Sequence, residues 1–483
     1  MWERLELREI QRRDLVAGPG ERPRPDLPAG TDLIPQIKHI VILMMENHSF
    51  DNYLGTLGRG DGLPLGTDGA PDVVNALPNG QQVRAHHLTS TEQVPDDPTQ
   101  SWNASHISYA DGTCDGFAAS VWETVPGADP AMPLGYWTEK ELPFYHGLAS
   151  TFPLADRWFS SCLGPTFPNR RFLISGTANG LIDDLPYDLV DYPAAGTVFD
   201  SLSSNKISWV NYHNVRPATS LVKRALGRGG HIGLRRLGRL MRWLPGMTAA
   251  MRGNKSFTAD LYPLGMARCV RHLRRTQQFF ADAAAGQLPA VSIVDPDFDL
   301  YSEENPQDIS HGESFAAAVI NAVMHGPAWE STLLLWIYDE HGGYYDHVPP
   351  PRAVTPDDVP AHNPVLSLPS WVRAIIRPYV KKVAKTDAGP ATYDQYGFRV
   401  PAVIVSPYAR PDFVLSEVFD HTSVLKLIEE KWNLPALTRR DAAATSPLAA
   451  LDLDSPPAFL TPPDLPAAKA GPFRPPQPAP RAH

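Results

Sequence analysis

Cysteine is scarce in this chain of 483 residues. Only Cys114, Cys162 and Cys269 are present, far apart and odd in number, so they cannot build a disulfide framework or a cysteine-based zinc site. No run of about 18 apolar residues occurs, which excludes a membrane-spanning helix. The first residues also lack the apolar stretch of a secretory signal. We therefore expect a cytoplasmic or peripheral membrane protein, or a secreted one whose leader has been removed.

An overall positive charge is also absent. The net charge is −10, so nothing in the whole chain predicts nucleic-acid binding. A hydrophobic share of 43% fits a folded protein with a sizeable core. The 50 prolines, about twice the usual frequency, indicate many loops. We predict an Arg- and Pro-rich N-terminal arm at residues 1–36, a folded domain at residues 37–454 and a Pro-rich tail at residues 455–483.

Short apolar runs that end in polar residues indicate the fold class. The runs and the residues that follow them are 40–45 with Glu46 and Asn47, 290–294 with Asp295, 332–338 with Asp339 and Glu340, and 400–405 with Ser406. Continuous apolar strands are typical of a parallel sheet that is buried on both faces. Helical stretches, such as 313–325 and 421–432, lie between the runs. We predict an α/β fold with a largely parallel central sheet flanked by helices, whose reactive groups share one site at the strand ends.

Two of these polar pairs predict a metal site. Glu46, Asn47, Asp339 and Glu340 can converge if their strands are neighbours. Three carboxylates and an amide oxygen make a hard oxygen site that suits a divalent cation such as calcium, magnesium or manganese. The alternative is that these acids cap helices or pair with arginine, as acids at strand ends often do.

A turn followed by a helix is predicted around Thr166. Gly164 and Pro165 favour the turn, and Thr166, just ahead of Pro168, fits a helix N-cap. Phosphate also binds at helix N-termini. A hydroxyl that coordinates a metal there would become a nucleophile, whereas the alternative is an ordinary capping threonine.

Several histidines could move protons. Three of them lie in polar stretches: His106, His311 and His341. A histidine so placed can protonate a leaving group, although a surface or hydrogen-bonded role is the alternative for each. Asp346 and His347 form another acid–base pair, which we interpret as part of a loop turn. His421 opens a helix, and we interpret it as structural.

A basic insert at residues 201–259 contains eleven positive charges and no acid. Leucines recur there at helical spacing beside Trp243, and the segment 371–385 is similar, although Pro378 would kink or end a helix. Basic amphipathic helices with an aromatic residue favour an anionic membrane surface. We expect peripheral membrane contact through residues 216–255 and 371–385. The alternative is a solvated helical cap over the core, and nucleic-acid binding is disfavoured.

Taken together, these segments resemble the bacterial phosphoesterase family of phospholipases C and acid phosphatase, which belongs to the alkaline phosphatase superfamily. The matching segments are HIVILMMENHSFD at 39–51, GPTFPNR at 164–170, YDEHGGYYDHV at 338–348, DGF at 115–117 and FDHTSVL at 419–425. Their order and spacing cover residues 36–450. His48 stands where this family usually has arginine, and this difference leaves the metal ligands intact.

The resemblance implies a metal-dependent phosphoesterase with an alkaline-phosphatase-like core. It implies a metal ligand set of Glu46, Asn47, Thr166, Asp339 and Glu340. Thr166 would also be the nucleophile, and the resemblance places His106, His311 and Asn169 in the active site, with Asn169 on the phosphoryl group. The metal would be calcium, manganese, magnesium or zinc, and superfamily resemblance also allows iron.

The expected reaction is attack of the Thr166 alkoxide on phosphorus, followed by hydrolysis of the phosphothreonine by water. We predict a phospholipase C that hydrolyses the glycerol-side phosphodiester of phospholipids, because the basic segments favour a lipid surface. The first alternative is a soluble acid phosphatase that acts on phosphomonoesters. The second is a membrane-docking protein that has lost the chemistry.

Overall fold

A computed structural model of the chain describes residues 20–94, 98–184, 192–213, 261–262, 265–360 and 392–473. Most of the predicted basic insert, the second basic segment at 371–385 and the ends of both terminal segments lie outside the described residues. The predicted membrane contacts at 216–255 and 371–385 lie there as well. In the described part, no helix has both the length and the apolar character needed to cross a bilayer.

The described residues form one large sheet and two small ones. The strands of the large sheet, in spatial order, are β12 (Val414–Leu415), β6 (Leu154–Ala155), β11 (Ala402–Val405), β10 (Thr332–Tyr338), β1 (His39–Met45), β9 (Val291–Val294), β7 (Trp209–His213) and β8 (Leu273–Arg275). The small sheets pair β2 (Val74–Ala76) with β3 (Gln82–Arg84) and β4 (His86–His87) with β5 (Gly135–Tyr136). In the large sheet all neighbours run parallel except the two pairs that involve β11. The predicted α/β fold with a largely parallel sheet is confirmed.

Helices flank this sheet. The α-helices are α1 (Phe50–Leu54), α2 (Trp102–Tyr109), α3 (Phe117–Thr124), α4 (Pro143–Thr151), α5 (Thr166–Ser175), α6 (Val198–Ser204), α7 (Thr276–Ala284), α8 (Ile309–Met324), α9 (Thr422–Trp432) and α10 (Arg439–Ala443). Short 3-10 turns occupy Ala110–Gly112, Met132–Leu134, Met266–His272, Trp329–Ser331 and Pro447–Ala450. The helices α8 and α9 confirm the helical stretches that were predicted at 313–325 and 421–432.

The register of the two central strands brings their polar ends together. Every residue of β10 is buried, and so is every residue of β1 except His39. Met45, the last residue of β1, pairs with Tyr338, the last residue of β10. Because the strands run parallel, the residues that follow them leave the sheet at the same edge and at the same height. The side chains of the two polar pairs therefore meet there.

One strand does not contribute to that edge. The sequence pattern assigned the run 400–405 to the same set of strand ends, so that Ser406 would lie at the shared site. The observed strand, β11, runs antiparallel to β10, and Ser406 therefore leaves the sheet at the opposite edge. An apolar run is equally compatible with either strand direction, so the pattern alone could not exclude this arrangement.

The described parts of both termini pack against the domain. Leu33 donates its backbone N–H to the carbonyl of Lys431 (2.7 Å), and the Lys431 ammonium pairs with Asp32 at 2.7 Å. The described part of the predicted Pro-rich tail, 455–473, contains no helix or strand. It is held to the domain, because the Trp329 indole donates to the carbonyl of Phe459 (2.9 Å).

Candidate active site

The ends of β1 and β10 form a buried polar centre. Glu46 and Asn47 are each 3% exposed, and Asp339 and Glu340 are fully buried. The Asn47 backbone N–H donates to Asp339 Oδ1 (3.2 Å), and the Asp339 N–H donates to the carbonyl of Met45 (3.2 Å). The structure thus brings together the four strand-end residues that the sequence singled out.

Two carboxylate oxygens in this centre lack a partner among the residues that the structure describes. Glu46 Oε2 and Glu340 Oε1 are buried and accept no hydrogen bond from those residues. Burial raises the pKa of both carboxyl groups well above the ordinary value; Glu304 adds to this effect at Glu46, and Asp339 adds to it at Glu340. Buried carboxylates need a proton or a cation for compensation, so these two oxygens fit a bound cation.

Asp339 has fewer acceptor positions left for a metal than Glu46 and Glu340. Its Oδ2 accepts from Arg170 Nε (2.8 Å), and its Oδ1 accepts from the N–H groups of Asn47 (3.2 Å) and Glu340 (2.8 Å). A carboxylate offers about four acceptor positions, so about one remains. Across the described ranges, no three His, Cys, Asp or Glu side chains form a ready metal-binding cluster. Glu46 and Glu340 therefore carry the fit to a cation, with the neutral oxygens of Asn47 and Thr166 beside them.

Thr166 begins helix α5 next to this centre. Its Oγ1 lies 3.4 Å from Asn47 Oδ1, and the residue is 6% exposed. The predicted N-cap position of Thr166 is wrong by one residue, because the cap is Pro165 in an extended conformation and Thr166 is already helical. Pro165 has no side chain that can accept a hydrogen bond at the cap position of α5. The hydroxyl of Thr166 is directed at Asn47 Oδ1.

Asn169 fixes the loop that leads to Thr166. Its Oδ1 accepts the N–H of Cys162 (3.0 Å), and its Nδ2 donates to the carbonyls of Gly164 (2.8 Å) and Pro165 (3.0 Å). The side chain is fully buried. Its amide is therefore occupied by the backbone of this loop, and the expected contact with a phosphoryl group stays a prediction.

Arg170 is a site residue that the sequence interpretation missed. Its guanidinium is buried and binds Asp339 (2.8 Å) and Asp295 (3.3 Å), which follows β9. It joins α5 to the ends of two strands. The signal was available, because a residue four positions after Thr166 lies on the same face of a helix. Asp295 was among the predicted strand-end residues, and the structure places it at the edge of this centre.

Asp184 is a second residue that the sequence did not reveal. Its Oδ1 accepts the backbone N–H of Phe167, in the first turn of α5 (3.0 Å). Burial and the neighbouring Asp183 carboxylate raise the pKa of Asp184 to about 8. It is not preceded by an apolar strand, so no pattern in the sequence pointed to it.

The Trp102 side chain lies between His106 and the loop that leads to Thr166. His106 Nδ1 is hydrogen-bonded to the carbonyl of Trp102 (2.7 Å), and the His106 ring packs on the Trp102 ring with centroids 4.8 Å apart. The same indole packs on Gly164, where an added Cβ would lie 2.9 Å from Trp102 Cε3. His106 is solvent-exposed, and its predicted role as an active-site histidine stays a prediction.

The structure places His311 elsewhere. It is exposed on the first turn of α8, where its backbone N–H donates to the carbonyl of Asp308 (3.1 Å). Within the described part of the chain, no hydrogen bond or ion pair joins His311 to Thr166 or to the strand-end acids. Its predicted catalytic role stays a prediction.

Two further histidines support the strand-end loop. His421 Nε2 lies 2.6 Å from the carbonyl oxygen of Asp339, which agrees with the structural role expected for it. His341 Nδ1 lies 3.2 Å from Glu340 Oε2. Burial lowers the pKa of the His341 imidazole to about 3, so the ring is neutral at physiological pH.

Asp346 and His347 belong to a separate network next to the site. His347 Nδ1 lies 2.7 Å from Asp51 Oδ2, and the buried Arg399 pairs with both Asp51 (3.0 Å) and Asp346 (2.9 Å). These groups hold the loop after β10 against α1. The structural interpretation of this pair agrees with its contacts.

The chain is similar to known phosphoesterases. Residues 37–435 match the family described as Phosphoesterase family. Phospholipase C B of Mycobacterium tuberculosis is 31% identical over 458 residues, which cover 88% of this chain and 79% of the relative. Non-specific phospholipase C1 of Arabidopsis thaliana is 31% identical over 437 residues, with 84% of this chain and 69% of the relative covered. Phospholipase C A of Mycobacterium tuberculosis is 28% identical over 451 residues, 88% of this chain and 79% of the relative.

Proposed function

The chain belongs to the Phosphoesterase family and is a phosphoric ester hydrolase, and we propose that it acts as a metal-dependent phospholipase C through Thr166. The observation that carries the proposal is the position of Thr166 Oγ1, 3.4 Å from Asn47 Oδ1 at the start of α5. The oxygens of Glu46 and Glu340 that have no hydrogen-bond partner in the described part of the chain lie in the same buried centre. The similar proteins named above are phospholipases C, which favours a phospholipid substrate.

A divalent cation would be held by Glu46, Asn47, Thr166, Asp339 and Glu340. When bound there, such an ion supplies positive charge that lowers the pKa of a hydroxyl and stabilises negative charge on a phosphoryl group. The oxygen-rich ligand set suits calcium, magnesium or manganese, and zinc is a further candidate.

The reaction proposed for the protein side chains has two steps. The Thr166 hydroxyl gives up its proton to solvent, and its Oγ1 forms a bond to phosphorus while the bond from phosphorus to the glycerol oxygen breaks. Protonated His106 gives a proton to the departing glycerol oxygen and regains one from solvent, and diacylglycerol leaves. Water then breaks the bond between phosphorus and Thr166 Oγ1, which releases the phosphorylated head group and restores the hydroxyl. The N-terminus of α5 favours the anionic phosphoryl group beside Thr166.

Asn169 and Arg170 position the nucleophile. Asn169 holds the three backbone groups of the preceding loop, and Arg170 ties α5 to the ends of β9 and β10. Rates depend steeply on the placement of the attacking atom, so rigid support on both sides of Thr166 favours catalysis.

The proposed function is tested by product analysis with the full chain. Diacylglycerol release from phosphatidylcholine and phosphatidylinositol is compared with hydrolysis of p-nitrophenyl phosphate, after chelation and after adding back single divalent metals. We expect diacylglycerol release that is lost on chelation and restored by metal. Cleavage of the monoester alone would identify a soluble phosphatase and contradict the proposal. Cleavage of no ester under any metal would do the same.

Membrane contact is the remaining part of the proposal. The segments expected to provide it, 216–255 and 371–385, are strongly basic. Co-sedimentation with liposomes that contain phosphatidylserine, at low and high salt, tests it, since screening weakens contacts between exposed charges. We expect binding at low salt that falls at high salt. Absence of binding at low salt would contradict this contact.

A further inference from the structure

A cavity of about 430 Å³ lies where the C-terminal segment packs on α8. We call it the tail pocket. Its walls come from the loop after β9, from α8 and from the tail. The residues that line it include Leu300, Tyr301, His311, Ser314, Ala470 and Phe473. Its volume is within the range of about 300–1,000 Å³ that is usual for sites that bind small molecules.

The tail wall of this pocket is firmly attached. The Phe473 ring packs edge-on against Tyr301 and Phe315, with centroids 5.1 and 5.3 Å away. The backbone N–H of Lys469 donates to the Glu313 carboxylate (2.9 Å), so the tail is also hydrogen-bonded to α8. Because aromatic packing and a hydrogen bond fix this wall, the pocket is a stable feature of the fold.

The tail pocket and the catalytic centre share one loop. The Phe298 ring lies 5.1 Å from Arg170 Cζ, and the carbonyl of Ser302 accepts the N–H of Glu46 (3.2 Å). Leu300 and Tyr301, which line the pocket, lie between these two contacts in the chain. Two residues span at most about 7 Å, so the pocket begins within that reach of groups that touch the centre.

The chemistry of the walls selects an apolar ligand. Leu300, Ala470 and Phe473 are apolar, and the polar side chains of His311 and Ser314 lie together on α8. Among the lining residues that the structure describes, none is an Asp, Glu, Lys or Arg. Leu300 is 36% exposed, so a ligand in the pocket can cover apolar surface there. An anionic or cationic head group would find no counter-charge from such residues in this pocket.

We propose that the tail pocket binds an acyl chain of the phospholipid substrate, an inference that rests on the proposed function. A phospholipid carries its apolar chains on the glycerol side of the phosphodiester. With phosphorus at Thr166, one chain follows the loop 298–302 into the pocket, and its burial stabilises the bound lipid. A small phosphomonoester lacks this contact. The pocket thereby favours lipid over soluble esters.

The test measures binding of an alkyl probe to the full chain, independently of turnover. Ala470 is an exposed residue of the pocket wall, so Ala470→Trp fills the pocket without removing a core side chain. Ala443→Trp, at the exposed end of α10, is the matched control. We expect dansyl-undecanoate fluorescence to report binding to the wild type and to Ala443→Trp. Binding to Ala470→Trp should be at least about tenfold weaker, since each methylene kept in water weakens binding by about fourfold.

Equal binding of the probe by the wild type and Ala470→Trp would overturn the proposal, and so would no binding by the wild type. A parallel assay separates this outcome from failure of the proposed function. In that assay the ratio of turnover on dipalmitoyl- to dihexanoyl-phosphatidylcholine should fall in Ala470→Trp and not in Ala443→Trp. If the wild type cleaves no phosphodiester, the proposed function fails, while the probe measurement still decides whether the pocket binds an alkyl chain.

Discussion

Arg170 allows a prediction whose magnitude follows from its contacts. Its guanidinium is buried with Asp339 at 2.8 Å and Asp295 at 3.3 Å, and it also donates to the carbonyl of Met45 (3.2 Å). Replacement of Arg170 by Met keeps much of the apolar volume but leaves two buried carboxylates without their cation. Breaking a buried ion pair on one side costs about 3–5 kcal/mol, so we expect a loss of that size in the free energy of unfolding.

Equilibrium unfolding in urea measures this loss, with metal removed from every sample. The double variant Arg170→Met/Asp295→Asn should recover part of the stability, because one of the two orphaned charges is gone. Arg170→Lys should lie between the wild type and Arg170→Met, since a single ammonium cannot reproduce the two-sided geometry of the guanidinium. Wild-type stability in Arg170→Met would refute the assignment of Arg170 as the tie between α5 and the strand ends.

Three other changes have defined outcomes. Asn169→Ala removes the hydrogen-bond partner of three buried backbone groups before Thr166. It should lower kcat more than it raises KM for diacylglycerol release, and it should lower the free energy of unfolding in urea by about 1–3 kcal/mol. Unchanged kinetics would contradict the positioning role of Asn169. Gly342→Ala should abolish diacylglycerol release in a folded protein, because φ is +64° at Gly342 and an added Cβ would lie 1.9 Å from the carbonyl oxygen of Asn47. An active variant with a native circular dichroism spectrum would contradict this prediction. Although burial lowers the pKa of His347, its hydrogen bond to Asp51 and the negative charges of Asp51 and Asp346 together raise this pKa more, so the net shift is upward. The resulting stability is present below about pH 6.5 and is lost as pH rises through the raised pKa. His347→Gln should flatten this part of the melting temperature against pH, and an unaltered profile would contradict the prediction.

The strand ends were the part of the site that the sequence could predict. Two continuous apolar runs, each followed at once by carboxylates, permit one arrangement in a parallel sheet, and the pairing of Met45 with Tyr338 realises it. Thr166 was predictable from its place after Gly164 and Pro165, although its exact helical position was not. Helix boundaries depend on the backbone angles of single residues, which the residue types constrain only loosely.

Other features depend on contacts between distant segments. The antiparallel direction of β11 is set by how the chain returns to the sheet, and an apolar strand carries no mark of its direction. Asp184 reaches the first turn of α5 from a loop with no periodic pattern. His311 could not be separated from His106 by local sequence, because both lie in polar stretches. In the described structure, the packing of Trp102 against Gly164 places His106 near the loop that leads to Thr166.

The role of Thr166 is tested most directly by trapping the covalent enzyme intermediate. The full chain is mixed with phosphatidylcholine, quenched in acid within milliseconds and digested, and the peptide that contains Thr166 is weighed by mass spectrometry. We predict that Thr166 carries phosphocholine, the group left on phosphorus when diacylglycerol departs, in the wild type and in variants with slowed turnover. We also predict that Thr166→Ala lowers kcat by roughly a thousandfold or more, whereas Thr166→Ser retains part of the wild-type kcat. The control is Thr177→Ala, which changes a buried threonine beyond the other end of α5 and should retain most of the wild-type kcat. Near-wild-type turnover by Thr166→Ala, or phosphocholine trapped on a different residue, would contradict the proposed nucleophile.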